Sequence, residues 1–543
     1  MHGLMMDMPL AISELIRHAD RHHGDTEIVS KRVEGDGLHR YNYREAHRRA
    51  RRLAKALARL GLAMHDRVGT LAWNGYRHFE LYYAVAGSGA VIHTINPRLF
   101  EDQIVYIANH AEDRILCFDL TFLPLVEKLA PRLETVKRYV LMTDRAHMPA
   151  KTSIPGLACY EELLEAEDDR FDWPRFDERT AACLCYTSGT TGNPKGVLYS
   201  HRSTILHAYG AALPDVLNFS ARDVVLPVVP MFHVNAWGIP YSAAACGTKL
   251  VFPGQHLDGR SLYELFEGER VTMSAGVPTV WLGLLQFMDA NRLKFSTLKR
   301  VVIGGSACPP AMMRKFNDDY GVEVLHAWGM TEMSPLGCVC TLKEKHLGLD
   351  KEAQFAIRMK QGRPPFGVDW RIVDEQGREL PADGKTFGHL QVRGPWVLSS
   401  YFKGEGGNPL RDGWFPTGDV GTLDPDGYLQ ITDRSKDVIK SGGEWISSID
   451  LENIAIAHPA IAEAAVIGVR HPKWDERPIV VAVKKPGASV TKQELLAFYE
   501  GKVAKWWIPD DVVFVEELPH TATGKLSKIT LRERLASYRL PAT

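Results

Sequence analysis

Two kinds of hydrophobic pattern divide the chain. Through roughly the first 350 residues, helix-period segments alternate with short, nearly continuous apolar runs such as DRVGTLAW, AVIHTI, RILCFDL, KRYVLMT, DVVLPVVP, TKLVFP, LKRVVIGG and VEVLHAWG. Continuous apolar strands are what sheets covered by helices on both faces require, so this part is expected to be α/β. After about Gly362 the strands shorten and alternate, with Gly and Asp turns between them: VDWRIVDEQG, FGHLQVRGP and GWFPTGDVGTLDPDGYLQITD. That pattern predicts a small β-rich subdomain over about 362–432. The charged stretch DRSKD, 433–437, marks a boundary, and 438–543 carries its own αβ alternation. The expected architecture is a large N-terminal α/β domain (1–432), a hinge (433–437) and a small, mobile C-terminal α+β domain (438–543). RRARRLAKALARLGL, Arg48–Leu62, reads as an amphipathic helix with a solvated basic face.

At 543 residues the chain is long enough for several packed units. Its 65 basic residues nearly cancel 66 acidic ones, which offers no electrostatic case for nucleic acid. Eight scattered cysteines lack C-x-x-C spacing and suit reduced thiols in a cytoplasmic protein. No apolar stretch is long enough to span a bilayer, and the N-terminus lacks the layout of a signal peptide.

The densest chemistry lies in YTSGTTGNPKGV, Tyr186–Val197, directly after the apolar run AACLC. Glycines let successive N–H groups form a nest for an anion, hydroxyls add donors, and Lys195 adds a positive charge. The loop is not a Walker A motif, because Gly196 rather than Ser or Thr follows Lys195. Neither a G-x-G-x-x-G nor a G-x-S-x-G elbow is present. Five further constellations follow: GGSACPP (Gly304–Pro310), HAWGMTEMSP (His326–Pro335), GWFPTGDVG (Gly413–Gly421), TDRSKDVIKSGGEWISSIDLEN, and LPHTATGKLSK near the end. In the second, Thr331 and Glu332 pair a hydroxyl with a carboxylate, and Glu332 is the expected Mg²⁺ partner. In the third, Asp419 is expected in a tight glycine-flanked turn, where it could accept two ribose hydroxyls.

In order and spacing these six resemble the adenylate-forming enzymes: acyl-CoA synthetases, firefly-type luciferases and peptide-synthetase adenylation domains. The resemblance spans nearly the whole chain. It implies that Thr187, Ser188, Gly189, Thr190, Thr191, Gly192 and Lys195 hold the ATP phosphates, with Mg²⁺ near Thr187 and Glu332. Gly305, Ser306 and Ala307 would meet adenine and AMP together with the run His326, Ala327, Trp328, Gly329 and Thr331. Asp419 and Arg434 would bind ribose, Lys436 would be the hinge residue, and Lys440 and Trp445 would lie near the nucleotide. Gly442 and Gly443 would line the approach of the thiol, and Lys525 matches the lysine of adenylation. Most similar enzymes carry Tyr where this chain has Trp328, which keeps an aromatic face and loses the phenol.

The segment PMFHVNAWGIPYSAA should border the acid. Adenylation domains for amino acids place an Asp where this chain has His233, so a free α-amino acid is not expected. Val234, Trp237 and Tyr241 suggest an apolar channel. The candidate catalytic residues are thus Lys525, Glu332, Thr187 and His233. The expected activity is ATP-dependent activation of a medium- or long-chain fatty acid as acyl-AMP, then transfer to CoA. The alternatives are a short acid such as 3-methylmercaptopropionate, or loading of a separate carrier protein. The resemblance further implies ATP, Mg²⁺ and CoA as reactants, and a homodimer.

Overall fold

The computed structural model describes residues 1, 3–187, 193–441, 444–520 and 526–540, with Glu444 by its backbone alone. The first part of the chain builds two large sheets. One has seven strands in the order Ala158–Cys159, Arg138–Leu141, Asp113–Phe118, Arg67–Leu71, Val91–Thr94, Ala181–Tyr186 and Gly196–Ser200. All its pairings are parallel except the last, where Ala181–Tyr186 and Gly196–Ser200 run antiparallel around the glycine-rich loop. The other has eight strands: Leu336–Val339, Glu323–Gly329, Arg300–Ile303, Met273–Gly276, Val224–Pro227, Lys249–Phe252, Glu27–Lys31 and Leu38–Asn42. Its interior is parallel and both edge pairs are antiparallel.

Helix Tyr76–Gly87 lies between the sheets, touching Val91–Thr94 and Ala181–Tyr186 of one and Glu27–Lys31 of the other. All twelve of its residues are buried, including Arg77, His78 and Glu80. Such charges stay inside only when paired. Arg77 reaches Glu161 at 2.7 Å, and Glu80 takes Arg49 Nε at 2.7 Å and the Tyr160 hydroxyl at 2.7 Å. Arg49 belongs to the basic helix, Tyr43–Arg59, whose apolar side buries Ala46, Ala50, Leu53 and Leu57. That helix is therefore amphipathic as expected, yet Arg49 is drawn into the interior rather than solvated.

A four-stranded antiparallel sheet follows, in the order Asp369–Val373, Gly388–Arg393, Phe415–Leu423 and Leu429–Arg434. Asp419 lies within its third strand, not in the expected turn. The flanking glycine is there for close approach: a Cβ on Gly421 would sit 2.6 Å from Gln430 O across a bulge. The last part forms a five-stranded sheet around the long hairpin Ile461–His471 and Asp475–Lys484. It has its own core, including Ile439, Leu451, Val466 and Val480. No described helix is long and apolar enough to cross a membrane.

Candidate active site

The site is assembled at strand ends. Strand Ala181–Tyr186 stops at Thr187, whose N–H donates to Lys195 O at 2.9 Å, while Lys195 N–H donates to Thr187 Oγ1 at 3.1 Å. These two bonds tie the ends of the phosphate loop. Ser188, Gly189, Thr190, Thr191 and Gly192 lie outside the described residues, as do Gly442, Gly443 and Lys525. The Lys195 ammonium stands 4.9 Å from the centre of the Tyr401 ring. Tyr401 in turn donates its hydroxyl to Glu332 Oε1 at 2.9 Å. Tyr401 thus connects the phosphate loop to the candidate metal carboxylate, a link that no motif announces.

Glu332 is 8% exposed. Burial pushes its carboxyl above the usual range, and hydrogen bonds, including that from Tyr401, together with the charge of Arg434 draw it back. The described residues contain no cluster of three His, Cys, Asp or Glu side chains able to cage a metal. One buried carboxylate and the Thr187 hydroxyl suit Mg²⁺, which keeps substrate phosphates and waters as its other ligands.

The next two motifs meet at Gly304. A Cβ there would lie 3.1 Å from Ala327 O and 3.1 Å from Trp237 Cη2, so any other residue would push these neighbours back by a few tenths of an ångström. Gly305, at φ +80°, and Ser306 are exposed at the strand end, and Ala307 is half-buried. His326 faces inward instead. Its Nε2 accepts Cys308 N–H at 3.3 Å, which leaves the proton on Nδ1 to meet Met359 O at 2.9 Å. Burial holds its pKa down at about 4. Its side chain is spent on structure, and its carbonyl accepts Cys340 N–H at 2.8 Å.

Gly329 must be glycine because a Cβ would collide with Pro335 O at 2.0 Å. Thr331 offers its carbonyl to the Tyr199 hydroxyl at 2.6 Å. Trp328 lies against Gly337, and its Nε1–H donates to Asp419 Oδ2 at 2.9 Å. Arg434 Nε meets Asp419 Oδ1 at 2.9 Å. Lys440 pairs with Glu375, in the turn after strand Asp369–Val373, at 2.9 Å, and Trp445 meets His389 of the four-stranded sheet edge-on at 5.4 Å. Lys436 is exposed, and its pKa is lowered chiefly by desolvation.

On the expected acid side, Val234, Asn235, Ala236, Trp237 and Gly238 all have φ between +47° and +75°. Each non-glycine residue in that region costs about 1–2 kcal/mol, so a left-handed turn of this length must be imposed by its surroundings. His233 precedes the turn, and Trp237 leaves it to rest on Gly304. Tyr241 does not line a channel. It is 1% exposed and packs against Tyr82 and Tyr83 in the core. Val234 is likewise a core residue, 4% exposed.

A crevice at the C-terminal ends of Val224–Pro227 and Met273–Gly276 adjoins this region, where α/β sheets commonly bind ligands. Trp73, Phe232, Leu257 and Val277 line it, and Arg98 enters it from the seven-stranded unit. Among the described residues Arg98 has no carboxylate partner, and its guanidinium lies 5.9 Å from the Phe232 ring. Arg98 is exposed at the mouth of this apolar crevice, with its charge open to a ligand. Sequence reading missed it because a single Arg in NPRL carries no pattern.

A hydroxyl-rich loop sequence after a buried strand, the buried carboxylate of Glu332 and the Trp328–Asp419 pair are the marks of an adenylate-forming enzyme. The chain belongs to the AMP-binding enzyme family, whose pattern matches residues 15–402, with the family's C-terminal domain at 450–525. It is 59% identical to the 3-methylmercaptopropionyl-CoA ligase of Ruegeria pomeroyi, over 98% of this chain and 99% of that one. It is 54% identical to the medium-chain-fatty-acid–CoA ligase of Ectopseudomonas oleovorans, over 99% and 98%. The fold also matches that of the anthranilate CoA ligase AuaEII in complex with anthranoyl-AMP (TM-score 0.85, 24% identity, 98% and 99% covered). The protein is an AMP-forming acyl-CoA ligase that uses a carboxylic acid, ATP and CoA, with Mg²⁺ as its metal.

Proposed function

We propose that the acid is short: an aliphatic or thioether acid of the 3-methylmercaptopropionate class. The observation that carries this reading is Trp237, whose ring abuts Gly304 while Val234 and Tyr241 are taken up by the core, leaving little depth for a long chain. The relative at 59% identity supports it. A medium-chain acid is the second reading, favoured by the relative at 54%.

The carboxylate attacks the α-phosphorus of ATP, pyrophosphate leaves, and acyl-AMP forms. Two anions must meet, so the work is positioning and charge neutralisation. Lys195 and Lys525 supply positive charge around the phosphates. Mg²⁺ at Glu332 and Thr187 would add Lewis-acid neutralisation of the same oxygens. Asp419 and Arg434 hold the ribose, and Trp328 and Gly305 border the base. The thiol of CoA then attacks the acyl carbon and AMP leaves. Arg98, exposed at the edge of the small crevice, is the cation we assign to a phosphate of CoA.

The second step calls for a swing of the C-terminal domain about the 433–437 hinge. Arg434 is anchored to Asp419 on one side, and Asp437 to Arg532 at 2.7 Å on the other. Ser435 is also held by the sheet, through Gly418 O at 2.9 Å and His389 Nδ1 at 3.1 Å, which leaves Lys436 as the pivot. Ser447 and Ser448 donate to Thr432 O at 2.6 Å and Asp433 Oδ2 at 2.7 Å, contacts that a swing would exchange.

The test is CoA-dependent AMP formation with acids from propionate and 3-methylmercaptopropionate through palmitate, plus aryl acids. The short acids should give the highest kcat/KM. Each buried methylene contributes up to about 0.8 kcal/mol, near fourfold, so a deep pocket would show as a steep rise with length. A tenfold preference for octanoate or longer would overturn the short-acid reading. Pyrophosphate exchange without CoA consumption would select carrier loading instead.

A further inference from the structure

We propose that Asn74, which no motif contains, is a positioning residue for the acid: with Tyr82 it holds the backbone from which the left-handed turn Val234–Gly238 springs. The inference rests on the reading of His233 and Trp237 as acyl-site residues.

Asn74 follows strand Arg67–Leu71 of the seven-stranded sheet and is 4% exposed. Its side chain reaches into the other unit. Nδ2 donates to Pro227 O at 2.8 Å and to Val229 O at 2.9 Å, and Oδ1 accepts Met231 N–H at 2.6 Å. Two carbonyls on one end and an N–H on the other fix the orientation of the amide. Asp would lose both donors and Gln would be one methylene too long. The main chain adds to the join, because Asn74 O accepts Gly254 N–H at 3.0 Å.

Tyr82, fully buried on helix Tyr76–Gly87, completes the hold. Its hydroxyl donates to Met231 O and lies 3.3 Å from Asn235 Oδ1. Both polar backbone atoms of Met231 are therefore held by the opposite unit. One residue earlier, Pro230 O accepts His233 N–H at 3.1 Å and Ala236 N–H at 3.2 Å, so the place of Pro230 sets where the turn begins. At the far end Gly238 is pressed against the His207 ring, which a Cβ would meet at 2.7 Å.

A turn in an unfavourable backbone region relaxes when its supports are removed. Weakening the Asn74–Tyr82 hold should free Trp237 from Gly304 and spoil recognition of the acid. The contacts assigned to ATP, at Lys195, Trp328 and Asp419, lie on other elements and should survive. A residue that only supports folding would lower stability and all kinetic constants together.

The experiment uses the full-length enzyme with Tyr82→Phe, Asn74→Asp and the double variant. Tyr82→Phe, which removes one hydroxyl, should fold normally, raise KM for the acid about tenfold and keep KM for ATP within about twofold. It should also flatten the preference among acids. The double variant should lose less than the product of the two single effects, since both side chains act on Met231. Hydrogen exchange should quicken in the segment 227–238 and not in the strand Ala181–Tyr186. Equal changes in both KM values, full multiplicativity, or unchanged exchange over 227–238 would overturn the proposal. Should the parent activate no acid at all, the substrate reading fails, and the exchange result alone decides whether these side chains hold the turn.

Discussion

The indole of Trp328 donates its only polar hydrogen to Asp419, 91 residues further along the chain. The carboxylate is 3% exposed and is held from its other oxygen by Arg434. The ring we assign to the base and the carboxylate we assign to the sugar are thereby locked to each other.

Trp328→Phe keeps the ring and removes the donor. A hydrogen bond to a charged group contributes about 1.5–3 kcal/mol, so KM for ATP should rise about ten- to a hundredfold. Discrimination against 2′-deoxy- and 3′-deoxy-ATP should shrink in parallel. Steady-state kinetics with the three nucleotides checks both effects, and an unchanged discrimination would detach Trp328 from the ribose.

Acidification should silence adenylation through Glu332. Its carboxyl is pushed up by burial, and it must be ionised to hold a metal, so kcat/KM for ATP is present above that raised pKa and lost as pH falls through it. The Tyr401 hydroxyl stabilises the ionised form. Tyr401→Phe should therefore move the acid limb to higher pH. Glu332→Gln should remove the limb and cost about 10²–10³ in rate, measured by pyrophosphate exchange across pH and Mg²⁺ concentration.

Arg98→Ala should act on the second half-reaction alone. KM for CoA is expected to rise about tenfold, the loss of one charge-assisted contact, while acid-dependent pyrophosphate exchange stays as in the parent. A fall in exchange would place Arg98 with the first step.

Lys525→Ala should separate the two steps in the opposite sense. Adenylation from acid and ATP should be abolished, whereas thioester formation from supplied acyl-AMP and CoA should persist. Equal loss of both would argue against a domain that presents different faces in turn.

The glycine-rich loop stands out in the sequence because its chemistry is local: glycines, hydroxyls and a lysine crowd into twelve residues. The strands of the large domain were equally legible, since sheets covered on both faces require continuous apolar runs. Long-range contacts were not. Tyr401, Asn74 and Arg98 act through partners distant in sequence and belong to no repeating pattern. Tyr241 was misread because a tyrosine beside a motif looks the same whether it lines a channel or fills the core. Asp419 was assigned to a turn because glycine marks tight backbone approach as well as reversal, and here the approach is between paired strands.

The left-handed segment after His233 has a practical consequence for redesign. Relieving it, for instance by Ala236→Gly, would offer an easy route to a more heat-tolerant protein. The same change would let the wall beside Gly304 wander, so the hardier catalyst would be the less discriminating one. On the proposed reading, selectivity is kept as tension in the chain, and it would fade before the fold does.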